Sequence, residues 1–360
     1  MKLKRTSDYL AVIPSIRNFP MDYYEPLKDV DILIIDDSNA LRVIQQPEWH
    51  NGTFTVIDHE DRPKVLPHKV NTLIPYNSPS CKNIGLWVSY VNGYEYTILL
   101  DDDCDLRETP NYVNEIPVGQ ETIMTVISQT KTLDNVWFNP MELLQSKDFS
   151  RGFPYEYRNH EPLFDGIYSR KVKSKFNEGL WWGMPDINGV DKFYRDYVDI
   201  KIRPNIEMNV VVDPLIYVPI SIMNVQIHHD LIPAFYQPPN YKIYGDFYVK
   251  RHDDVWAGMV LKYLMDYHGD SFTVGNPLNR HVKVADPMWE TKSETVTNII
   301  QHHLENALNS SSLILGNNYA ESAVSLVDSI DYLDPLGPGI YANVLRDYFN
   351  NVKRWAELFL

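Results

Sequence analysis

Tyr94-Glu95-Tyr96-Thr97-Ile98-Leu99-Leu100-Asp101-Asp102-Asp103 decides the reading of this chain. An aromatic and aliphatic run of strand length stops at three consecutive aspartates. Like charges in succession repel one another, so a metal or a basic partner is a natural reason to gather them. The other reading is a strand-end loop whose carboxylates are simply solvated. Hard oxygen ligands of this kind select Mg²⁺ or Mn²⁺, and such a cation bridges readily to a diphosphate.

The sequence around this stretch repeats its pattern. Tyr9 to Pro14 is an apolar run, Val30 to Ile35 is a second that ends at Asp36, Asp37 and Ser38, and Thr53 to Ile57 is a third that ends at Asp58. Between the runs, Ser80 to Tyr90 places Ile84, Leu86, Trp87 and Val88 on one helical face behind Ser80 as a cap. Alternating strands and helices predict an α/β fold with a mostly parallel sheet covered by helices. In such sheets ligands bind beyond the carboxyl ends of the strands. The residues there are Ser15 and Arg17, then Asp36 and Asp37, then Asp101, Asp102 and Asp103. With Lys82 in the helix, all of these but Asp103 are candidate substrate-binding residues, and Asp103 together with Asp101 is a candidate metal ligand.

Composition narrows the function classes. The chain has 360 residues, enough for one large α/β domain with an appendage. A net charge of −15 argues against direct binding of nucleic acid and suits a metal-bridged diphosphate. Arg170, Lys171, Lys173 and Lys175 are the local exception, a solvated loop or a phosphate contact. The 24 tyrosines and 8 tryptophans suit a site that stacks flat rings, and equally a large core. Cys81 and Cys104 form no framework, which predicts a reducing compartment. Met1 to Tyr9 is polar and lacks a secretory apolar core, so the expected location is cytoplasmic. The most apolar runs are short or broken by Asp213, Pro214 and Pro219, so no membrane span is expected.

The middle of the chain, about Asn135 to Asp246, is rich in Pro, Tyr, Trp and Asn, with short strand-like runs at Asn209 to Val212 and Leu215 to Val218. It reads as the acceptor-side half of the same domain, with long functional loops. A helix over Asp254 to His268 follows, stopped by Gly269. Helices are also expected over Val296 to Leu308 and from Pro338 onward, the last with Ile340, Val344, Tyr348, Val352, Trp355 and Phe359 on one stripe.

Several polar groups in this half could carry chemistry. Asp253 or Asp254 is expected to cap the helix that follows Arg251-His252, and such a carboxylate also suits contact with sugar hydroxyls or proton transfer. From spacing alone, Arg151 and Arg158 flank a surface loop, Gly152 to Tyr157, and His281 is either structural or the completion of a metal site.

Taken together and in order, six segments resemble the reversibly glycosylated polypeptides, the family of UDP-arabinopyranose mutases. They are Ile13-Pro14-Ser15-Ile16-Arg17-Asn18, Tyr96 to Cys104, Arg151-Gly152-Phe153-Pro154-Tyr155-Glu156-Tyr157-Arg158, Gly179-Leu180-Trp181-Trp182-Gly183-Met184-Pro185-Asp186, Met223-Asn224-Val225-Gln226-Ile227, and Arg251 to Met259. The resemblance runs from about residue 10 to 290 and implies a glycosyltransferase A-type fold, a UDP-sugar substrate and a divalent metal. On it, residues 1–290 form the nucleotide-sugar domain and 291–360 a helical extension.

The resemblance also implies roles. Asp103 is the metal ligand, joined by Asp101 and His281. Arg151 carries a reversible glycosyl group, Arg158 is also required, and Asp254 is the third catalytic candidate. Trp182, Asp186, Asn224 and Asp253 join the substrate-binding set. Glu156-Tyr157 and Trp182-Gly183 depart from the family pattern.

The implied chemistry interconverts six- and five-membered rings of a UDP-pentose, and homo-oligomerisation is compatible with it. Two rivals stand beside it. One is a metal-dependent glycosyltransferase that passes the sugar to a separate acceptor. The other is a non-catalytic partner subunit.

Overall fold

The computed structural model describes residues 2–40, 42–128, 137–158, 168–194, 209–245, 247–282, 286–330 and 339–360. The strands are β1 (Tyr9–Ser15), β2 (Asp31–Asp36), β3 (Phe54–Ile57), β4 (Tyr96–Leu99), β5 (Cys104–Asp105), β6 (Glu121–Ile127), β7 (Tyr168–Gly183), β8 (Val210–Val212), β9 (Val225–His228), β10 (Tyr241–Tyr244), β11 (Phe247–Val249) and β12 (Ser271–His281). The helices are α1 (Arg62–Val65), α2 (His68–Leu73), α3 (Lys82–Val91), α4 (Asp253–His268), α5 (Pro287–Asn309), α6 (Tyr319–Ile330) and α7 (Gly339–Ala356).

One large sheet has the order β3-β2-β1-β4-β9-β7-β6-β8-β12-β5, with β7 also paired to β12. Strands β1 to β4 are parallel, Leu10 lying level with Asp31, Tyr9 with Tyr96 and Ile32 with Phe54. Strand β9 runs antiparallel between β4 and β7, so β7 and its parallel neighbour β12 point the same way as the first four. The carboxyl ends of β1, β2, β4, β7 and β12 therefore meet at one edge. This mixed, mostly parallel sheet with flanking and C-terminal helices is consistent with the expected glycosyltransferase A-type α/β fold.

Local sequence explains the layering. Every residue of β2 is buried, as an apolar strand covered on both faces must be. Helix α3 packs directly on β1: a Cβ at Gly85 would sit 2.2 Å from Val12 Cγ1. One apolar cluster extends from Leu10 through the sheet to Trp355 and Ala356. The C-terminal helices dock on it through Trp355, whose Nε1 donates to Ile232 O at 3.0 Å, and through Tyr348, whose ring lies 5.5 Å from that of Trp256. Among the described residues, no helix is long and apolar enough to cross a membrane, and Cys81 and Cys104 are buried and unpaired.

Several sequence expectations shift. Ser78, not Ser80, caps the segment before α3, because Pro79 opens a 3₁₀ turn there and Ser78 Oγ accepts Ser80 N–H at 3.4 Å. Helix α4 begins at Asp253 with His252 as its N-cap, so neither aspartate is the cap. Helix α5 begins at Pro287, capped by Asp286, well before Val296. Leu215 to Val218 forms no strand, since Pro214 and Leu215 make a turn with Leu215 at φ +66, although Tyr217 keeps a parallel bridge to Trp137, and residues 170–175 lie on β7 instead of in a loop. The proposed start of the last helix at Pro338, and the bounds Asn135 and Asp246 of the middle region, lie outside the described residues. Strands β7 and β12 are not announced by the sequence, and helix α6 falls within the expected helical extension without being singled out.

Candidate functional site

The acidic triplet stands at the end of β4, and the chain itself supplies basic partners for it. Lys82, at the start of α3, places Nζ 2.9 Å from Asp101 Oδ1. Arg17, just past β1, pairs with Asp102 and donates from Nη2 to Asp103 Oδ2 at 2.8 Å. Ser15 Oγ donates to Asp102 Oδ2 at 2.8 Å. Burial, with repulsion from Asp103, raises the Asp102 carboxyl above its ordinary range despite Arg17. Burial opposes the charge on Lys82, yet Asp101, Asp253 and Asp254 raise its pKa.

Two groups at this edge fit a cation. Asp103 Oδ1 is buried and has no hydrogen-bond partner among the described residues. His281, at the end of β12, has Nδ1 2.8 Å from Met184 O, which can only accept, so Nδ1 carries the proton and Nε2 the lone pair. That Nε2 lies 3.9 Å from Asp103 Oδ2. Among the described residues, no three carboxylate, imidazole or thiol groups enclose a metal. A site of two protein ligands completed by phosphate oxygens and water is the habit of Mg²⁺, so the pair fits the group.

On the other wall of the cleft, Arg151 is buried between two carboxylates. Its Nε lies 3.0 and 3.1 Å from the two oxygens of Asp186. Nη1 donates to the Arg251 carbonyl and to Asp254 Oδ1 at 3.0 Å, and Nη2 donates to Asp254 Oδ2 at 2.6 Å. Burial would lower the Arg151 pKa, but Asp186 and Asp254 outweigh it and hold the guanidinium firmly charged. Burial likewise opposes ionisation of Asp186, yet Arg151, Arg251 and Lys192 hold its pKa well below the carboxylate range. Asp253 differs: burial and the neighbouring Asp254 push its carboxyl up to about 6. Asp254 and Asp253 reach the cleft because they occupy the first turn of α4, where negative charge is favoured by the helix dipole.

The structure thus gathers Lys82, Asp101, Asp103, Arg151, Asp186, Asp253, Asp254 and His281 around one cleft. Ser15, Arg17 and Asp102 adjoin it through the pairs just described. Asp36 is occupied by Arg42, whose Nε lies 3.0 Å from its Oδ2, and Asp37 by His59 Nε2 at 2.8 Å and Ser78 N–H at 2.8 Å. Neither of these aspartates lines the cleft, and three further candidates are not brought to it. Arg158 pairs at two points with Asp191, at 2.8 and 2.9 Å, and lies over the Tyr155 ring. Asn224 is fully buried, bonded to Tyr112, Leu180 and Gln226. Trp182 packs beneath Arg280.

Other lining residues went unnoticed in the sequence: Lys192, Ser221 and Glu290, with Glu294 paired to Arg251 just behind. Ser221 sits two residues before the Met223-Asn224 segment. The two glutamates show a signal only as acids four apart on one helix face.

The cleft thus lies at the carboxyl ends of an α/β sheet, with paired aspartates and cations on one wall and a clamped arginine on the other. The comparisons with known proteins give the family. The family model described as "Reversibly glycosylated polypeptide" matches residues 6–330, and the chain belongs to this family. Similar relatives include a protein of Pisum sativum named "Probable UDP-arabinopyranose mutase 1", 26% identical over 79% of this chain and 72% of its own length. "UDP-arabinopyranose mutase 2" of Arabidopsis thaliana is 24% identical over 96% of this chain and 91% of its own. "UDP-arabinopyranose mutase 1" of Oryza sativa subsp. japonica is 25% identical over 79% and 72%.

Proposed function

We propose that the chain is a UDP-sugar mutase, interconverting the pyranose and furanose forms of a UDP-pentose such as UDP-arabinose through a glycosyl group carried reversibly on Arg151. One observation carries the reading. Nε and Nη1 of Arg151 spend their hydrogens on Asp186, Asp254 and the Arg251 carbonyl, whereas Nη2 makes a single bond, to Asp254, and keeps one N–H without an acceptor among the described residues. Nη2 is therefore the nitrogen available to a sugar.

Lys82 and Arg17 would face the diphosphate from the strand ends. Asp103 and His281, with Asp101 beside them, would hold Mn²⁺ or Mg²⁺, which supplies positive charge to the diphosphate. Nη2 then forms a bond to the anomeric carbon as the carbon–oxygen bond to UDP breaks, and UDP leaves with the electron pair. The Nη2 proton passes to Asp254 Oδ2, 2.6 Å away, so the glycosyl-guanidinium keeps one positive charge. Opening the sugar ring needs a proton on its oxygen, and Asp253, with its pKa near 6, is the cleft acid suited to give and retake it. Reclosure through a different hydroxyl changes the ring size, and returning UDP displaces Arg151. The two unpaired buried cysteines support a reducing, cytoplasmic setting.

The firmly charged state of Arg151 favours a second reading, a metal-dependent transferase in which Arg151 only orients sugar and carboxylates. Labelled UDP-arabinose, added without an acceptor, separates the two. The mutase leaves label on the peptide containing Arg151, excess UDP chases it, and Arg151→Lys loses both label and ring interconversion while still binding UDP. Absence of label from the wild type, with a separate acceptor becoming glycosylated, establishes the transferase.

A further inference from the structure

Arg251 is a non-glycine residue with φ +66, in the left-handed region that L side chains rarely adopt. Of the four such residues described, it alone lines the cleft. The unusual backbone has a visible consequence. It comes directly before the N-cap of α4 and turns the Arg251 carbonyl onto Arg151 Nη1. It also has a visible restraint. The Arg251 side chain reaches to α5, where Nη2 meets Glu290 Oε1 at 2.7 Å and Nε meets Glu294 Oε1 at 2.8 Å. Both glutamates are buried, and each is anchored a second time. Glu290 Oε2 holds Lys192 Nζ at 2.7 Å, and Glu294 Oε2 accepts Gly189 N–H at 2.7 Å. Burial raises the Glu294 carboxyl while Arg251 opposes that rise, so the pair is mutually dependent.

We propose that Arg251 is a positioning residue for Arg151: the two glutamates of α5 hold its backbone in the left-handed state, and the carbonyl so presented occupies Nη1 and leaves Nη2 as the free nitrogen. The strain at Arg251 persists because its side chain is tied at two points, the pattern expected where backbone strain serves a site. Were the carbonyl to turn away, Nη1 would keep only its bond to Asp254 and would present a second free N–H to the sugar beside that of Nη2. This inference rests on Arg151 being the group that meets the sugar.

The test uses the unusual backbone itself. Arg251→Gly and Arg251→Ala both delete the side chain, but glycine adopts positive φ freely and alanine does not. A role for the side chain alone predicts equal losses. A role for the carbonyl predicts that Arg251→Gly is faster than Arg251→Ala by about tenfold in kcat, with the two binding UDP-sugar alike. Glu290→Gln with Glu294→Gln should lower kcat as Arg251→Ala does, and replacing Arg251 by glycine in that background should recover part of it. Melting curves on all variants identify any that fail to fold, and the glutamate variants then carry the comparison. Equal kcat for the glycine and alanine variants, or a change confined to KM, overturns the proposal. If the wild type takes no label from UDP-arabinose, the glycosyl-arginine reading falls, while the order of the variants in UDP-sugar turnover still decides the role of Arg251.

Discussion

Asp254 meets Arg151 at two points, Oδ1 to Nη1 at 3.0 Å and Oδ2 to Nη2 at 2.6 Å. A carboxylate in this parallel arrangement both orients the guanidinium and stands ready to accept a proton from it. Asp254→Asn keeps the size but offers an amide that cannot take the proton and that turns an N–H toward Arg151. Turnover should fall by a factor of roughly 100 or more. The melting temperature should also fall, because a buried arginine loses one of its two carboxylates, a loss of about 1–3 kcal/mol. Retained turnover in Asp254→Asn would remove Asp254 from the proton path.

The cation site makes a separate expectation. Asp103→Asn and His281→Ala should each weaken Mn²⁺ binding to the UDP-saturated protein by roughly 10–100-fold, read by calorimetric titration after EDTA treatment. Neither should unfold the chain, since Asp103 is replaced by an isostere and the side-chain hydrogen bond of His281 among the described residues is the one from Nδ1 to the Met184 carbonyl, while its backbone bonds survive in alanine. Unchanged Mn²⁺ affinity in both would place the metal elsewhere.

The strand-end half of the site was legible because its signal is local. Apolar runs that stop at polar residues mark β1, β2 and β4, and their parallel pairing puts Ser15, Asp36 and Asp101 at one edge. The other half was not, for two physical reasons. Strands β7 and β12 carry polar residues at interior positions, such as Asn177, Glu178 and Asn279, so no apolar period announces them. Helix α5 was seen only from Val296 because its buried face changes chemistry. Leu304 and Leu308 continue toward the N-terminus as Gln301, Thr297, Glu294 and Glu290, all buried. A search for hydrophobic spacing ends where that face turns polar, and there it meets the site. Arg158 and Asn224 show the converse: a motif match names residues without saying whether they face the cleft or the packing behind it.

His252 sets an expectation for pH. It is fully buried, with Nδ1 2.9 Å from Gln301 Oε1, and burial together with Arg151 lowers its pKa from the ordinary 6.5 to about 3. Its neutral form is thus favoured in the folded state. The unfolded chain binds a proton below pH 6.5 that the folded chain refuses, so the contribution is intact above that value and is lost as pH falls toward 3. Wild-type stability should drop by up to about 1.4 kcal/mol per pH unit through that window from this residue. His252→Gln should show a shallower acid decline, measured as melting temperature from pH 7 to pH 4. Parallel declines in the two proteins would assign the acid sensitivity to other groups.

Gly152 follows Arg151 with φ +84, and a Cβ there would lie 2.8 Å from Val255 Cγ2 and 3.0 Å from Cγ1. Val255 follows Asp254 on α4, so the turn that carries Arg151 and the helix turn that carries its carboxylate are in direct contact at this glycine. Its carbonyl accepts Gln301 Nε2 at 2.6 Å and its N–H reaches Asn188 Oδ1 at 3.2 Å, which leaves the backbone little room to shift. Gly152→Ala should therefore add two penalties, about 1–2 kcal/mol for a left-handed alanine and about 1–3 kcal/mol for crowding Val255. The crowding, unlike the backbone term, also pushes Arg151 away from Asp254. Adding Val255→Ala opens space for the new methyl without relaxing φ. The double variant is then expected to recover turnover more fully than stability, and the coupling between the two sites should be favourable by about 1 kcal/mol or more in turnover. Equal turnover in Gly152→Ala with and without Val255→Ala would mean that the spacing between these two turns does not control the Arg151–Asp254 contact.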